Sequence, residues 1–263
     1  MIALIRGGGD LGSGIALRLH RAGIKIIITE IELPLVLRRT VAFANAIYEK
    51  EMIVEGVRSK FINELDNIDS MLQAGIIPVL IDPEFNVLKD ISADVLIDAR
   101  MLKSFNDYDL GKKPLIIGIG PGFIASQNCH AVIESNRGHF LGRVLWEGSA
   151  QENTGTPGKI GSVDFERIIR APQEGLINSG ILIGTIVKKG DLLGYIGSER
   201  IIAGIDGCLR GLMHDGIYVN KDEKIGDLDP RHDPSLINFV SEKSLAIAGG
   251  VIEAIATYYR LIP

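Results

Sequence analysis

The chain has little cysteine and no recognisable metal-ligand pattern. Its only two cysteines among 263 residues are Cys129 and Cys208, which form neither a Cys-x-x-Cys pair nor a cysteine–histidine pair at ligand spacing. This usage excludes a disulfide scaffold and a cysteine-based structural zinc site. We therefore predict two free thiols and no metal site.

Long apolar runs and an excess of positive charge are also missing. Residues 76–81 form one of the longest apolar stretches, yet Pro78 interrupts it, and a membrane-spanning helix needs about 20 apolar residues. The first residues are strand-like rather than a targeting segment. Lys and Arg number 28 against 33 Asp and Glu and form no basic stripe. We expect a cytoplasmic protein that binds neither membranes nor nucleic acid.

The sequence does contain an alternation of short apolar runs with segments of helical period, from residue 2 to about residue 119. This alternation predicts an α/β fold in which helices cover a Rossmann-like parallel sheet. Helical spacing of apolar residues predicts a first helix over 11–22, and Pro34 predicts the start of a second. The predicted strands are residues 2–5, 25–29, 77–81, 95–98 and 115–119, with 51–54 as a further candidate.

The pattern changes after residue 120. Loop-forming residues lie on both sides of one predicted short strand near 141–146. From 170 to 229, short predicted strands separated by glycines indicate a small all-β domain. Within that stretch the pattern of residues 184–191 recurs, with an insertion, at 216–227. Apolar residues at helical spacing follow. We predict a Rossmann-like cofactor-binding domain at 1–150, the β domain at 168–232 and a C-terminal helical segment at 233–263.

The strongest candidate site is a glycine-rich loop after the first predicted strand. It satisfies Gly-x-Gly-x-x-Gly, in which the first glycine permits a tight turn, the second lets the backbone approach a pyrophosphate, and the third lets helix and strand pack closely. The N-terminus of the following helix adds N–H groups and partial positive charge. The alternative is a glycine turn without a ligand. The cofactor-binding residues assigned here are Gly7, Gly8, Gly9, Asp10, Leu11 and Gly12, with Glu30 at the end of the second strand on a ribose diol.

A second glycine cluster follows the fifth predicted strand, where open α/β sheets bind their ligands. A Gly-Pro turn also ends strands for purely structural reasons, so both interpretations stand. Just beyond, His130 and Glu134 offer acid and base groups. The residues assigned to the cofactor site from this region are Gly118, Gly120, Pro121 and Gly122, with Arg137 and His139 on an anionic group.

Three other patterns carry less weight, and none assigns a catalytic residue. Cys129 precedes His130, which could activate a thiol, but neighbours on a strand face opposite sides. Tyr108 and Lys112 match the Tyr-x-x-x-Lys spacing of short-chain dehydrogenases, although the glycine and proline nearby argue against the required helix. Residues 224–233 concentrate acids with an arginine and a histidine, which fits a metal or ligand site or a solvated loop.

Six blocks, in order along nearly the whole chain, resemble the YqeB family. They lie at residues 7–11, 120–123, 137–142, 153–158, 226–231 and 248–250. That family accompanies selenium-dependent molybdenum hydroxylases, so the resemblance implies an accessory role in their maturation, with a molybdenum hydroxylase as partner. Residues 170–230 also resemble the biotinyl and lipoyl barrel-sandwich fold. Because 198–200 reads Ser-Glu-Arg where that fold carries its modified lysine, covalent attachment is not expected.

These features lead to one main hypothesis and two alternatives. The main hypothesis is a maturation protein that binds molybdopterin or molybdopterin dinucleotide at the first glycine loop. A pterin dinucleotide presents the same pyrophosphate and ribose as NAD, so fold alone does not separate them. The alternatives are an NAD-dependent oxidoreductase, for which a convincing proton donor is lacking, and a non-catalytic nucleotide-binding scaffold.

Overall fold

The computed structural model describes residues 1–102, 108, 110, 114–152 and 165–260. The chain divides into two compact units. Unit 1 comprises Met1–Pro34, Ala42–Thr154 and Val240–Pro263, and unit 2 comprises Leu35–Val41 and Gly155–Phe239. A short segment from the first half of the chain thus belongs to unit 2, and the C-terminal helix belongs to unit 1.

Unit 1 is built on a nine-stranded sheet, with a small two-stranded sheet formed by residues 124–125 and 148–149. Its helices are α1 (Asp10–Arg21), α2 (Ala46–Glu49), α3 (Ile68–Gln73) and α4 (Glu242–Tyr258), with 3-10 turns at Phe43–Asn45 and Asn86–Lys89. Its strands are β1 (Ile2–Arg6), β2 (Lys25–Glu30), β3 (Glu51–Val54), β4 (Val57–Phe61), β5 (Ile77–Ile81), β6 (Val95–Asp98), β7 (Leu115–Ile119), β8 (Ile124–Ala125), β9 (Ala131–Ile133), β10 (Val144–Leu145) and β11 (Gly148–Ser149).

The order of the strands defines a switch point beside β1. Parallel pairs connect β4-β5-β2-β1-β6-β7-β9, and β3 and β10 add antiparallel edges. The strands from β2 to β5 therefore lie on one side of β1. The chain then crosses to the other side of β1, where β6 is its neighbour. In doubly wound sheets this reversal marks the crevice where ligands bind, outside the carboxyl ends of the strands. Here the crevice lies between the ends of β1 and β6.

Strands in the middle of this sheet are nearly continuous apolar runs, because parallel sheets bury both faces. On one face Leu4, Ile27 and Leu96 pack in a cluster with Ile68 and Leu72 of α3. Helix α1 lies against β1 and β2, and helix α4 lies against β7 and β9. The two helices also pack on each other, so closely that a Cβ atom on Gly14 would collide with Ser244. The core thus holds β1 and the start of α1 rigidly.

Unit 2 consists of two four-stranded antiparallel sheets. Short 3-10 turns occur at Arg39–Val41, Phe165–Arg167 and Pro234–Asn238. The strands are β12 (Ile168–Arg170), β13 (Gly175–Asn178), β14 (Ile186–Val187), β15 (Leu192–Ile196), β16 (Glu199–Ile202), β17 (Gly207–Leu212), β18 (Tyr218–Val219) and β19 (Lys224–Asp229).

The predicted α/β class is confirmed, and all six strand predictions before residue 120 fall on observed strands. The helix predicted at Pro34 is wrong. The chain there leaves unit 1, supplies Leu35–Val41 to unit 2 and forms only a 3-10 turn at Arg39–Val41. The strand predicted near 141–146 is shorter, at Val144–Leu145, because the preceding residues turn twice through glycine, with φ of 135° at Gly138 and 80° at Gly142.

No helix in the described part of the chain combines the length and the apolar character needed to cross a bilayer.

Candidate functional site

The first glycine loop joins β1 to α1 at the switch point. Gly7 adopts a φ of 97°, a left-handed conformation that favours glycine, and a Cβ atom on Gly12 would collide with the Gly7 carbonyl oxygen. Gly9 is the N-cap of α1 and has no side chain to accept hydrogen bonds from the first-turn N–H groups. These N–H groups and the partial positive charge of the helix N-terminus suit a phosphate. The loop therefore fits a pyrophosphate group.

Hydrogen bonds through Gly8 fix the shape of this loop. The Gly8 N–H donates to Glu30 Oε1 at 2.7 Å, and the Gly8 carbonyl accepts from the Ser13 hydroxyl at 2.8 Å and from the Ala44 N–H at 2.9 Å. The Ser13 hydroxyl accepts in turn from the Phe43 N–H at 2.7 Å. Because helix α1 and the Phe43–Asn45 turn both anchor Gly8, the loop is preorganised rather than mobile around a ligand.

Glu30 ends β2 beside the loop, where the sequence predicts a ribose-binding carboxylate. Its second oxygen, Oε2, accepts from the Ile31 N–H at 3.1 Å. Burial raises the pKa of Glu30, and the hydrogen bonds from Gly8 and Ile31 and the charge of Arg100 oppose that rise without cancelling it. The structure thus places Glu30 at the glycine loop, with one oxygen accepting from the Gly8 N–H and the other from the Ile31 N–H.

The segment after β6 lies between the two glycine clusters. Cβ atoms built on Gly7 and Gly120 would lie 3.3 Å from Arg100 Cγ and 3.0 Å from Met101 Sδ, and one on Gly122 would collide with the Leu102 carbonyl. Met101 itself has a φ of 58°, a strained conformation for a residue with a side chain. The clusters at Gly7–Gly12 and Gly118–Gly122 therefore flank one segment at the carboxyl edge of the sheet.

Sequence reasoning missed a polar network at the same edge. Asp98 at the end of β6 is fully buried and accepts from Arg100 Nη2 at 2.6 Å and from the Tyr108 hydroxyl at 2.9 Å. Arg6 at the end of β1 lies over the Phe85 ring at 5.2 Å and donates to the Pro83 carbonyl. The sequence feature that could have revealed this network is a polar residue at the end of an apolar strand, as at Arg6 and Asp98.

A small pocket opens among these groups, with a volume of about 40 Å³. Pockets that enclose small ligands typically measure roughly 300–1,000 Å³. The pocket is therefore too small for a whole ligand and has room for a single functional group. The lining residues are Arg6, Gly7, Thr29, Glu30, Ile31, Asp82, Pro83 and Arg100.

Arg137 and His139 lie on an exposed loop next to α4. Arg137 forms an ion pair with Glu242 in the first turn of that helix, and His139 contacts the edge of the Phe140 ring. Ser244, in the same turn of α4, donates to Asp10 Oδ1 at 3.3 Å. Through this turn Arg137 is connected to the start of α1, whereas no described contact links His139 to either glycine cluster.

The acid–base candidates near Arg137 have structural roles. Glu134 is buried and accepts from the backbone N–H groups of Asn136 and Gln151 at 2.7 and 2.8 Å. His130 accepts from the Ile116 N–H at 3.0 Å, near the amino end of β7 and away from Gly120, and burial lowers its pKa. Burial also raises the pKa of Cys129 to about 12, so its thiol is not activated.

Two other predicted features differ from expectation or lie outside the described residues. Residues 224–229 are the buried strand β19, so the solvated-loop interpretation of 224–233 is wrong for them. Asp227 and Asp229 pair with Arg167 and Arg231 respectively. Burial would raise the pKa of Asp229, but hydrogen bonds from Arg231 outweigh it and lower that pKa. Lys112 and residues 153–158 are not among the described residues.

No group of three or more His, Cys, Asp or Glu side chains among the described residues is arranged to hold a metal ion.

Comparisons with known proteins identify the family. No protein-family model matches the chain. A solved succinylglutamatedesuccinylase/aspartoacylase from Rhodobacter sphaeroides is 12% identical, over 86% of this chain and 85% of that one, with a TM-score of 0.27, too low to support an argument. "Uncharacterized protein YqeB" of Escherichia coli (strain K12) is 44% identical over 254 residues, covering 97% of this chain but only 47% of that protein. The chain thus spans about half the length of this relative. On this similarity along nearly its whole length, the chain belongs to the YqeB family.

Proposed function

We propose that the chain binds a dinucleotide-type cofactor, with the pyrophosphate on the Gly7–Gly12 loop and a ribose on Glu30. The observation that carries the proposal is the position of this loop: it connects β1 to α1 at the switch point between β1 and β6, beside the carboxylate that ends β2. Doubly wound sheets bind nucleotides in this arrangement. The unit then acts as a Rossmann-like nucleotide-binding domain.

The second glycine cluster extends the same site in this proposal. Gly118, Gly120, Pro121 and Gly122 lie across Met101 and Leu102 from the first loop and would face the distal part of the cofactor. Arg137 and His139 would approach an anionic group there. The ion pair between Arg137 and Glu242 must then exchange for contact with the ligand.

The biological role we propose is maturation of selenium-dependent molybdenum hydroxylases in the cytoplasm. Membership of the YqeB family supports this role, and the cofactor would be molybdopterin or molybdopterin dinucleotide. NAD is the alternative cofactor, because a carboxylate at the end of the second strand commonly binds its ribose. A molybdenum hydroxylase is the proposed partner.

Unit 2 serves as a non-catalytic scaffold in this proposal. Its two four-stranded sheets support a barrel-sandwich arrangement like that of biotinyl and lipoyl domains. The β15–β16 hairpin, where such domains carry the modified lysine, contains Glu199 and Arg200 instead. Partner binding rather than carriage of a covalent group is the role that remains for it.

The first experiment identifies the ligand. Protein purified from cells with an active molybdenum-cofactor pathway is gently denatured, and released small molecules are measured by mass spectrometry. Near-stoichiometric pterin or pterin dinucleotide supports the maturation role. Tight NAD binding by stripped protein, without pterin, favours the oxidoreductase alternative.

The second experiment tests the phosphate site with ADP, which carries a pyrophosphate and a ribose. Gly9 has φ of −69° and ψ of −165°, values open to any residue, so Gly9→Val adds bulk without backbone strain. We expect it to abolish ADP binding measured by calorimetry. Gly249→Val is the matched control, since Gly249 is exposed on α4 with open space around it. Normal ADP binding by Gly9→Val would contradict the site.

A further inference from the structure

The register of the central strands aligns a row of polar side chains at the carboxyl edge. Thr29, Arg6 and Asp98 are direct partners across β2, β1 and β6. Two residues earlier, Ile27, Leu4 and Leu96 form the apolar row of the same face. The polar row is therefore the end of a buried sheet face, where side-chain polar groups need hydrogen-bond partners.

Two groups of this row have buried polar atoms without a hydrogen-bond partner among the described residues. They are Nε of Arg6, a residue 9% exposed, and Oγ1 of Thr29, a residue 0% exposed. Both residues are among those that line the small pocket next to Gly7, and their two unpaired atoms are themselves shielded from solvent in the ligand-free protein. Leaving a buried donor unpaired is costly, and a ligand that pairs with it on binding removes that cost.

The chemistry of the two groups defines what they would bind. An arginine Nε–H only donates, and a threonine hydroxyl can donate as well, so the pair suits an acceptor oxygen. Arg6 and Arg100 contribute two positive charges to the lining, and Glu30 and Asp82 contribute two negative charges, with buried Asp98 bound to Arg100. Without surplus positive charge, a further phosphate is disfavoured and a neutral carbonyl oxygen is favoured.

The size of the pocket supports a single functional group. At about 40 Å³ the pocket has room for roughly three water molecules, because one buried water needs about 10–15 Å³ of cavity volume. A ring carbonyl with its flanking atoms fits that space, and a whole nucleobase does not.

We infer that the pocket beside Gly7 is a recognition subsite for a ring carbonyl of the ligand's heterocycle, read by Arg6 and Thr29. This inference rests on the proposed function, because the ligand must first be held by its phosphates at the glycine loop. The subsite would favour cofactors whose ring carries an amide-type carbonyl. It would disfavour cofactors whose ring carries an amino group at the same position.

The test compares IDP with ADP, which differ at the ring position that carries a carbonyl oxygen in IDP and an amino group in ADP. Wild-type protein should bind IDP about three- to tenfold more tightly, the effect of one hydrogen bond. Thr29→Val keeps the shape of the side chain without its hydroxyl and should lower this ratio by weakening IDP, with any remaining preference due to Arg6. Thr29→Ser, which retains the hydroxyl, should keep the preference.

Ser59→Ala is the matched control for removing a buried hydroxyl. Ser59, in β4, is also fully buried with no hydrogen-bond partner among the described residues, but it does not line the pocket. Both Ser59→Ala and Thr29→Val should leave the ligand-free protein at least as resistant to urea as wild type, because each removes an unpaired polar atom. Only Thr29→Val should change the IDP-to-ADP ratio.

The outcomes separate the subsite from the phosphate site. Equal affinities for IDP and ADP in wild type, or a preference that is undiminished in Thr29→Val, overturn the subsite. If ADP binding is nevertheless lost in Gly9→Val, the proposed function stands. If wild type binds neither nucleotide, the proposed function fails and the subsite fails with it.

Discussion

The two glycine clusters of unit 1 have similar compositions but use their glycines differently. The first cluster leads into α1, with Gly9 as its N-cap. The second leads into the two-residue strand β8, and its glycines make room for neighbouring groups: Gly118 for the Phe123 ring and Gly122 for the Leu102 carbonyl. Glycine content alone therefore does not define a phosphate site. The helix N-terminus that follows the first cluster distinguishes it.

The largest expected effect is a loss of stability when a glycine of the second cluster is replaced. Gly122→Ala places a Cβ atom against the Leu102 backbone carbonyl, which cannot move aside as a side chain could. We expect the free energy of unfolding to fall by about 3 kcal/mol in urea titrations. Gly249→Ala, in open space on α4, should instead raise it by about 0.5–1 kcal/mol. Equal stability of Gly122→Ala and wild type would break the distinction between the clusters.

The next effect concerns the ribose carboxylate beside the first cluster. Glu30→Ala should weaken ADP binding about tenfold, since a charged acceptor for the ribose is lost. Inorganic pyrophosphate should bind at least as tightly as to wild type, because the variant frees the Gly8 N–H that Glu30 now occupies. Calorimetry with ADP and with pyrophosphate measures the two affinities separately. Parallel weakening of both would mean that Glu30 only supports the loop.

A third effect is the pH dependence of the same group. Because burial raises the pKa of Glu30 above its ordinary value of 4.5, protonation removes its negative charge at a higher pH than in an ordinary glutamate. ADP affinity should be full above the raised pKa and fall as pH decreases through it. Glu30→Gln does not titrate at this position, so its ADP affinity should be flatter over that range. An unchanged pH profile in Glu30→Gln would exclude Glu30 as the titrating group.

The smallest effect is expected at Arg137. Its ion pair with Glu242 is exposed, and such pairs contribute less than about 1 kcal/mol. Arg137→Ala should therefore unfold at nearly the wild-type urea concentration but bind ADP about two- to threefold more weakly at low salt, with the difference shrinking as salt increases. Unchanged affinity at every salt concentration would restrict Arg137 to a structural role on the surface.

Much of unit 1 could be predicted from the sequence because the evidence is local. Parallel strands buried on both faces read as apolar runs, and the Gly-x-Gly-x-x-Gly loop lies within six consecutive residues. Glu30 was also found, since its spacing from the loop is set by one βαβ unit.

The rest depends on contacts between distant parts of the chain. Thr29, Arg6 and Asp98 become neighbours only through the strand order, which a single sequence does not specify. Pro34 misled the helix prediction because the residues that follow it belong to unit 2. Asp227 and Asp229 resembled loop residues, but they lie in a buried strand, where Asp227 pairs with Arg167, a buried arginine 60 residues away in sequence.

The most direct test of the central claim is an amide NMR titration of glycine-labelled protein with ADP. We predict that the amide signals of Gly8, Gly9 and Gly12 shift in a saturable way, and that Gly249 on α4 does not respond. In Gly9→Val the remaining loop signals should no longer shift. Saturable shifts confined to glycines outside the first loop, or none up to millimolar ADP, would contradict the assignment of Gly7–Gly12 as the phosphate site.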